Sequence, residues 1–291
     1  MKILVLGGTR FFGKHLVKKL LDNHSVTIAT RGITPDDFGE SVSRITLDRT
    51  DPHSLQAALS GREYDVVYDN IAYCSNDVKR LLDTVHTKKI ILTSSTSVYN
   101  LKPGLREEDF NPMTEPVTWC ERNDCEYSEG KREAERALYQ AYPGRQAIAV
   151  RFPFVVGPDD YTRRLRFYVE HTLKGIPMHI DNPDADMSLI HSREAREFLA
   201  FLADRDVSSR DVSSPVNAAS DGVISLREIL AYITAKTGAV PVLAGTGEAA
   251  PYNGADEYSI CTDRAQSLGY AFQNVRDDLF ALLDFYIEEL R

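Results

Sequence analysis

The sequence predicts an α/β fold, a doubly wound parallel sheet with a smaller carboxyl-terminal substrate lobe. Three observations predict it. Short β-branched runs alternate with helical periods through the first half of the chain, a glycine-rich turn (GGTRFFG, residues 7–13) follows the first run at once, and after Gly157 the alternation loosens into loops. Regular strand–helix alternation is the pattern of a parallel sheet covered by helices on both faces.

In chain order, KILVL at 2–6 reads as a strand, 13–22 as a helix, SVTIAT at 25–30 and RITLD at 44–48 as strands, and 53–60 as a helix. DVVYDNIA then gives a strand, Ser75 to Val85 a helix, KIILTSS a strand ending near Ser95, about 127–141 a helix and AIAVRF a strand. Beyond these, PDD, NPDADM and 242–258 read as loops, broken by a helix near 193–204. Ser225 and Glu228 form a capping-box pair that opens a helix closed by Gly238. In the last helix, about 274–290, Val275, Leu279, Leu282, Leu283 and Tyr286 recur at helical spacing, a core stripe. These elements place the dinucleotide-binding part at 1–158 with a returning segment at about 187–220, and the lobe at 159–186 and 221–291.

Composition bounds the function. With 291 residues the chain can bury a sizeable core. Its 34 basic and 43 acidic residues give a net charge of −9, which argues against a general binder of nucleic-acid backbone. The four cysteines (Cys74, Cys120, Cys125, Cys261) lack a CxxC spacing and read as reduced structural thiols of a cytoplasmic protein, with Cys120 and Cys125 the close pair. The apolar start is too short for a membrane segment, and no His, Cys and carboxylate group has metal spacing, so no metal is expected.

GGTRFFG sits between a strand and a helix, where a glycine turn binds dinucleotides. Gly7 and Gly8 permit the tight turn, Gly13 lets the helix approach the sheet, and the amides around Thr9, Arg10, Phe11 and Phe12 face a pyrophosphate. Arg10 stands where glycine is usual. Strand two ends Ala29-Thr30-Arg31 without the carboxylate that grips an unphosphorylated ribose, and a guanidinium there can hold a 2′-phosphate. Thr30, Arg31 and Arg10 therefore favour NADP(H) over NAD(H), which remains the alternative. Asp48 and Arg49, after strand three, are expected at the adenine. Asn70, Ile71, Ala72 and Tyr73 are expected over the pyrophosphate and ribose, and Pro153 and Val155, with Phe152, at the nicotinamide.

Two segments carry chemistry. TSSTSVY, residues 93–99, ends a strand; YSEGK places Lys131 four residues after Tyr127, on one helix face. An ammonium beside a phenol favours phenolate and makes the tyrosine a usable acid or base, while Ser95 can share a hydrogen bond with the same substrate oxygen. Arg163, Arg164 and Arg166 lie at the expected mouth of the lobe, where they could clamp a diphosphate, and Thr96 follows Ser95 on the cleft. His191 reads as a buried, hydrogen-bonded histidine at a strand-to-helix junction.

GGTRFFG, LTSSTSVY, YSEGKREAE, VRFPFVVGPDDYTRRL and LIHSREAREFL, in that order, resemble the extended short-chain dehydrogenase/reductase superfamily and its NAD(P)-dependent epimerase/dehydratase group. The resemblance implies a Rossmann-like domain with a substrate lobe and a catalytic triad of Ser95, Tyr127 and Lys131. It selects Ser95 as the serine four residues before Tyr99. It implies a hydroxyl- or keto-bearing small-molecule substrate, a nucleotide sugar among the candidates, and a homodimer built on helices near 76–86 and 127–141. Two departures stand out. No asparagine matches the family's fourth catalytic member, since Asn76 follows a helix cap and reads as structural. Thr96-Ser97 replaces the acidic pair of the dehydratases, which points to oxidation, reduction or epimerisation. Arg10 resembles atypical members, including chloroplast stem-loop RNA-binding relatives, so a non-catalytic cofactor sensor or an RNA binder is the rival reading.

Overall fold

A computed structural model of the chain describes residues 1–205, 214–255 and 257–291; residues 206–213 of the expected returning segment and Asp256 of the 242–258 loop lie outside the described residues. The first half runs β1 (Lys2–Leu6), α1 (Phe11–Leu20), β2 (Ser25–Thr30), β3 (Ser43–Thr46), α2 (Pro52–Leu59), β4 (Glu63–Asp69), α3 (Ser75–Leu82) and β5 (His86–Ser95). It continues through α4 (Tyr127–Arg136), which passes into a π turn at Ala137–Ala141, to β6 (Gln146–Phe152). After β7 (Phe154–Val156) and α5 (Arg164–Lys174) come the short strands β8 (Met178–His179), β9 (Asp186–Met187) and β10 (Leu189–His191), then α6 (Ser192–Asp204). β11 (Val216–Asn217), β12 (Ile224–Ser225), α7 (Leu226–Thr237), β13 (Glu248–Ala249), α8 (Asp263–Ser267) and α9 (Val275–Leu290) complete the order.

Seven strands form one sheet in the order β11-β6-β5-β4-β1-β2-β3, and every pairing is parallel. The chain leaves β1 for β2 and β3 on one side and returns to β4 on the other. A ligand crevice therefore opens at the carboxyl ends of β1 and β4, where the winding reverses.

Alternation within β1 divides the core. Ile3 and Val5 pack with Leu16, Val17 and Leu20 of α1 and Phe198, Leu199 and Leu202 of α6. Leu4 and Leu6 pack on the opposite face with Leu55, Leu59, Leu81, Leu82 and Leu138. A period of two in a strand sends neighbours to opposite faces, so a strand buried on both reads as an unbroken apolar run. The lobe has its own core, in which Tyr168 and Val169 of α5 meet Ile229 and Ile233 of α7 and Leu279 and Leu283 of α9. Among the described residues no helix is long and apolar enough to cross a membrane.

Several boundaries differ from the sequence reading. β5 starts at His86 because His86 and Thr87 take register with Glu63 and Tyr64 despite their polarity. Lys89, in the same strand, is buried and donates to the carbonyls of Leu202 and Ala203 at 3.1 and 2.8 Å, an ammonium placed on the negative end of α6. The largest correction is α5. GPDDYTRRLRF was expected as loop, yet a helix begins at Arg164, burying Leu165, Tyr168, Val169 and Thr172 at helical spacing and ending at Gly175 with φ +62. The capping box of Ser225 and Glu228, the Gly238 stop and the α9 stripe stand where the sequence places them.

Candidate active site

The glycine turn closes tightly on the sheet. Gly7 has φ +79, and a Cβ there would lie 2.6 Å from Ile71 Cγ2. A Cβ at Gly13 would lie 2.2 Å from the Gly7 carbonyl oxygen, and one at Gly8 2.8 Å from Val17 Cγ2. Arg10, in glycine's place, has φ −133, extended backbone open to any residue; the left-handed position is its neighbour Phe11 at φ +50. The Arg10 substitution is therefore free of backbone strain. Helix α1 starts with no side-chain cap and no acidic residue in its first turn, leaving its amino end and amides for an anion. Gly13→Ala is expected to destabilise by about 1–3 kcal/mol through overpacking and to abolish cofactor binding, read as a lowered Tm and a flat calorimetric titration. An unchanged Tm would contradict the close packing.

Arg10 Nε donates to Thr34 Oγ1 at 3.2 Å, and its guanidinium lies 5.9 Å from the Tyr161 ring centroid, so it spans from the loop after β2 to the lobe. Arg31 is exposed on that same loop, and Thr30 Oγ1 accepts from the Gly32 amide at 3.1 Å. The Thr50 hydroxyl and amide hold the Asp48 carboxyl below the ordinary value, with Arg31 and Arg122 adding to the effect. Arg49, expected at the adenine, is instead buried. Its Nη1 donates to Asp69 Oδ1 at 2.5 Å and its Nη2 to the Asp77 carbonyl at 2.7 Å, so it ties the chain after β3 to β4 and α3.

Asn70 directly follows β4, its Oδ1 accepting from Thr93 Oγ1 at 2.8 Å. Its Nδ2 is buried with no hydrogen-bond partner among the described residues and lies 3.4 Å from the Cβ position of Gly13. An unpaired buried donor beside a glycine cradle fits a bound dinucleotide, which would supply the missing acceptor. The backbone of Ile71 and Ala72 is engaged by the protein: Arg122 Nη2 donates to Ile71 O at 2.8 Å and Lys131 Nζ to Ala72 O at 2.7 Å. Pro153 is buried between β6 and β7, Val155 packs half-buried on the sheet core, and the Phe152 ring sits 5.9 Å from Phe12 of the glycine turn.

The three catalytic candidates converge at the carboxyl end of β5. Ser95 accepts the Ser97 amide at 3.1 Å, turning the chain into a short 3-10 segment at Thr96–Val98. Tyr127 opens α4 and is 51 % exposed. Burial raises the phenol above the ordinary tyrosine value, and the neighbouring Ser95 hydroxyl partly offsets this. One turn on, Lys131 is buried, its Nζ 5.8 Å from the Tyr127 ring centroid and donating to Ala72 O and to Thr93 O at 2.8 Å. Gly130 lets α4 come this close, since a Cβ there would lie 2.3 Å from Tyr73 O.

The remaining candidates separate. Thr96 is buried and accepts the Tyr99 amide through its carbonyl at 3.0 Å. Arg163 is exposed with φ +54 at the start of α5, and Arg164 lies 5.3 Å from the Phe154 ring, near enough to Tyr127 to favour its phenolate. Arg166 is committed to Glu170 and Glu289. His191 caps α6 by accepting the Arg193 amide through Nδ1, and Asn76 bonds Glu121 at 2.9 Å. Cys120 and Cys125 are thiols with Sγ atoms 3.5 Å apart. Among the described residues no group of His, Cys and carboxylates could hold a metal.

Asp77 escaped the sequence reading. It is fully buried and accepts from Arg80, Arg122 and the Tyr73 amide, with Arg49 Nε 3.5 Å away. It organises the cleft wall from α3. A lone aspartate after Ser75-Asn76 carries no periodic signal that could have marked it.

The glycine cradle, the unpaired Asn70 amide and the Ser95, Tyr127 and Lys131 cluster stand together on one crevice, and residues 3–219 match the NAD dependent epimerase/dehydratase family. The chain belongs to that family. A relative, the chloroplast stem-loop binding protein of 41 kDa b from Arabidopsis thaliana, is 26 % identical over 262 residues, covering 82 % of this chain. The chain spans 64 % of that relative's length. Two solved epimerase structures share the fold over the full length of both chains: UDP-glucose 4-epimerase with UDP-glucose from Thermotoga maritima (16 % identity, TM-score 0.76) and UDP-glucuronic acid 4-epimerase with NAD from Bacillus cereus (18 %, 0.73). At such identities the likeness speaks for the Rossmann-like sheet and the lobe, and the family match speaks for a nicotinamide nucleotide.

Proposed function

We propose that this family member is a nicotinamide-dependent oxidoreductase or epimerase acting on a hydroxyl- or keto-bearing carbon of a nucleotide sugar or similar small molecule. The observation that carries the reading is the convergence of Ser95 at the carboxyl end of β5 with Tyr127 at the start of α4, the Lys131 ammonium lying 5.8 Å from the Tyr127 ring centroid one helical turn on. The bound nicotinamide supplies hydride chemistry. Tyr127 gives or takes the substrate proton, Ser95 orients the substrate oxygen, and Lys131 favours the phenolate by its charge. Gly7, Gly8, Gly13, the α1 amides and Asn70 hold the dinucleotide. Arg163 and Arg164, at the start of α5, face an anionic substrate group. Turnover of UDP-glucose and UDP-glucuronic acid with each nicotinamide nucleotide tests the reading; protein that binds a cofactor and turns over no sugar nucleotide or simpler ketone would refute it.

For the cofactor, Arg10 of the glycine turn, bonded to Thr34 of the loop that carries Arg31, and the lack of a carboxylate ending β2 favour NADP(H). Charge-assisted bonds to a 2′-phosphate contribute about 1.5–3 kcal/mol, so Arg31→Ala is expected to weaken NADPH about tenfold to hundredfold by calorimetry and leave NADH unchanged. Equal binding of both by the wild type would assign the site to NAD. The stem-loop binding relative supports a second reading, RNA binding; salt-dependent retention of stem-loop RNA on a filter would establish it, and the net charge of −9 opposes it.

A further inference from the structure

The Tyr73 side chain has no part in the proposed chemistry, yet three groups of the crevice meet on its ring. The ring centroid lies 4.8 Å from Lys131 Nζ, 4.9 Å from Arg122 Cζ and 6.1 Å from the centroid of Tyr127. Its backbone is fixed on both sides: the amide donates to Asp77 Oδ2 at 2.8 Å, and its carbonyl oxygen touches Gly130, the residue before Lys131. Lys131 is buried, and the carbonyls of Ala72 and Thr93 take two of the three ammonium donors. Besides nearby carboxylates, the negative face of the Tyr73 ring compensates the charge.

We propose that Tyr73 is a positioning residue for Lys131, its ring serving as the seat that keeps the buried ammonium charged and held beside Tyr127. The proposal rests on the triad reading above. The charged groups around the ammonium are Asp69 from β4, Asp77 from α3, Glu135 from its own helix and Arg49 from the segment after β3; the carboxylates favour the charge and Arg49 opposes it. Burial outweighs them and brings the lysine down to about 8, so a single lost contact moves its titration into the neutral range. Arg122, held by Asp77 and the Ile71 carbonyl, lies against the same ring.

The test reads the lysine directly. In protein labelled with ¹³C at lysine Cε, the Lys131 signal, assigned by its loss in Lys131→Met, is titrated in the wild type and in Tyr73→Phe, Tyr73→Leu and Tyr73→Met. A desolvated cation–π contact corresponds to about one pH unit. Leucine and methionine are expected to lower the midpoint by that amount, while phenylalanine, which keeps the ring face, leaves it in place. An unchanged midpoint in the aliphatic variants, or a phenylalanine shift equal to theirs, would overturn the proposal. Methionine, close in size to the lost ring, answers the question if Tyr73→Leu does not fold. No cofactor or substrate is present, so failure of the wild type to bind NADH or NADPH would count against the enzymatic reading alone.

Discussion

Tyr127→Phe is expected to lower turnover by about 10²–10⁴-fold, the usual contribution of a positioned acid or base, while cofactor affinity stays at the wild-type value. The ring remains and only the hydroxyl is lost, so the loss falls on kcat. Measuring kcat beside a calorimetric cofactor titration separates the two. A variant with wild-type turnover would remove Tyr127 from the chemistry. The pH dependence follows from Lys131. The lysine carries its charge below about 8 and loses it above, while burial holds the Tyr127 phenol protonated well past neutrality. Proton abstraction by Tyr127 is therefore expected to strengthen as pH rises toward about 8 and to level off above it in the free enzyme, because phenolate beside charged lysine and phenol beside neutral lysine hold the same number of protons and keep a fixed ratio.

Breaking the Arg151–Glu135 pair is expected to cost about 3–5 kcal/mol, the effect of stranding one buried charge. Both side chains are fully buried, with Arg151 Nη2 2.5 Å and Nε 3.0 Å from the carboxylate. Arg151 also donates to Tyr99 Oη and to the carbonyls of Glu107 and Phe110, and Ser94 Oγ donates to Glu135 at 2.5 Å. Through Tyr99 the network reaches Asn217 of β11, whose side chain reaches the Cys261 carbonyl before α8. Glu135 lies one helical turn after Lys131 and Ser94 one residue before Ser95, so this pair fixes the strand and the helix that carry the candidate triad. Denaturant unfolding of Arg151→Met and Glu135→Leu measures the loss. The double replacement is expected to regain most of it because no charge is stranded. Single variants within 1 kcal/mol of the wild type, on the order of an ordinary substitution, would show that the pair is dispensable.

Local pattern made the sheet and the triad candidates legible in the sequence. A two-sided apolar strand followed by a glycine turn can hardly be anything but the first strand of a wound sheet, and Tyr127 and Lys131 at four-residue spacing share a helix face in any helix. Gly13 and Gly130 were written into the chain as glycines, but which backbone each one admits depends on strands and loops far off in sequence. Only the tertiary structure turned Arg49 from a cofactor contact into a buried partner of Asp69 and Asp77. Charge type is visible in a sequence; burial and the identity of the opposing charge are set by packing between segments that no local period encodes. The same reason hid Asp77, Arg122 and the contacts of the Tyr73 ring, which meet across α3, the end of β4 and the segment before α4. α5 is the exception: its stripe of Leu165, Tyr168, Val169 and Thr172 was present in the chain, and the arginines around it made a buried helix read as an open loop.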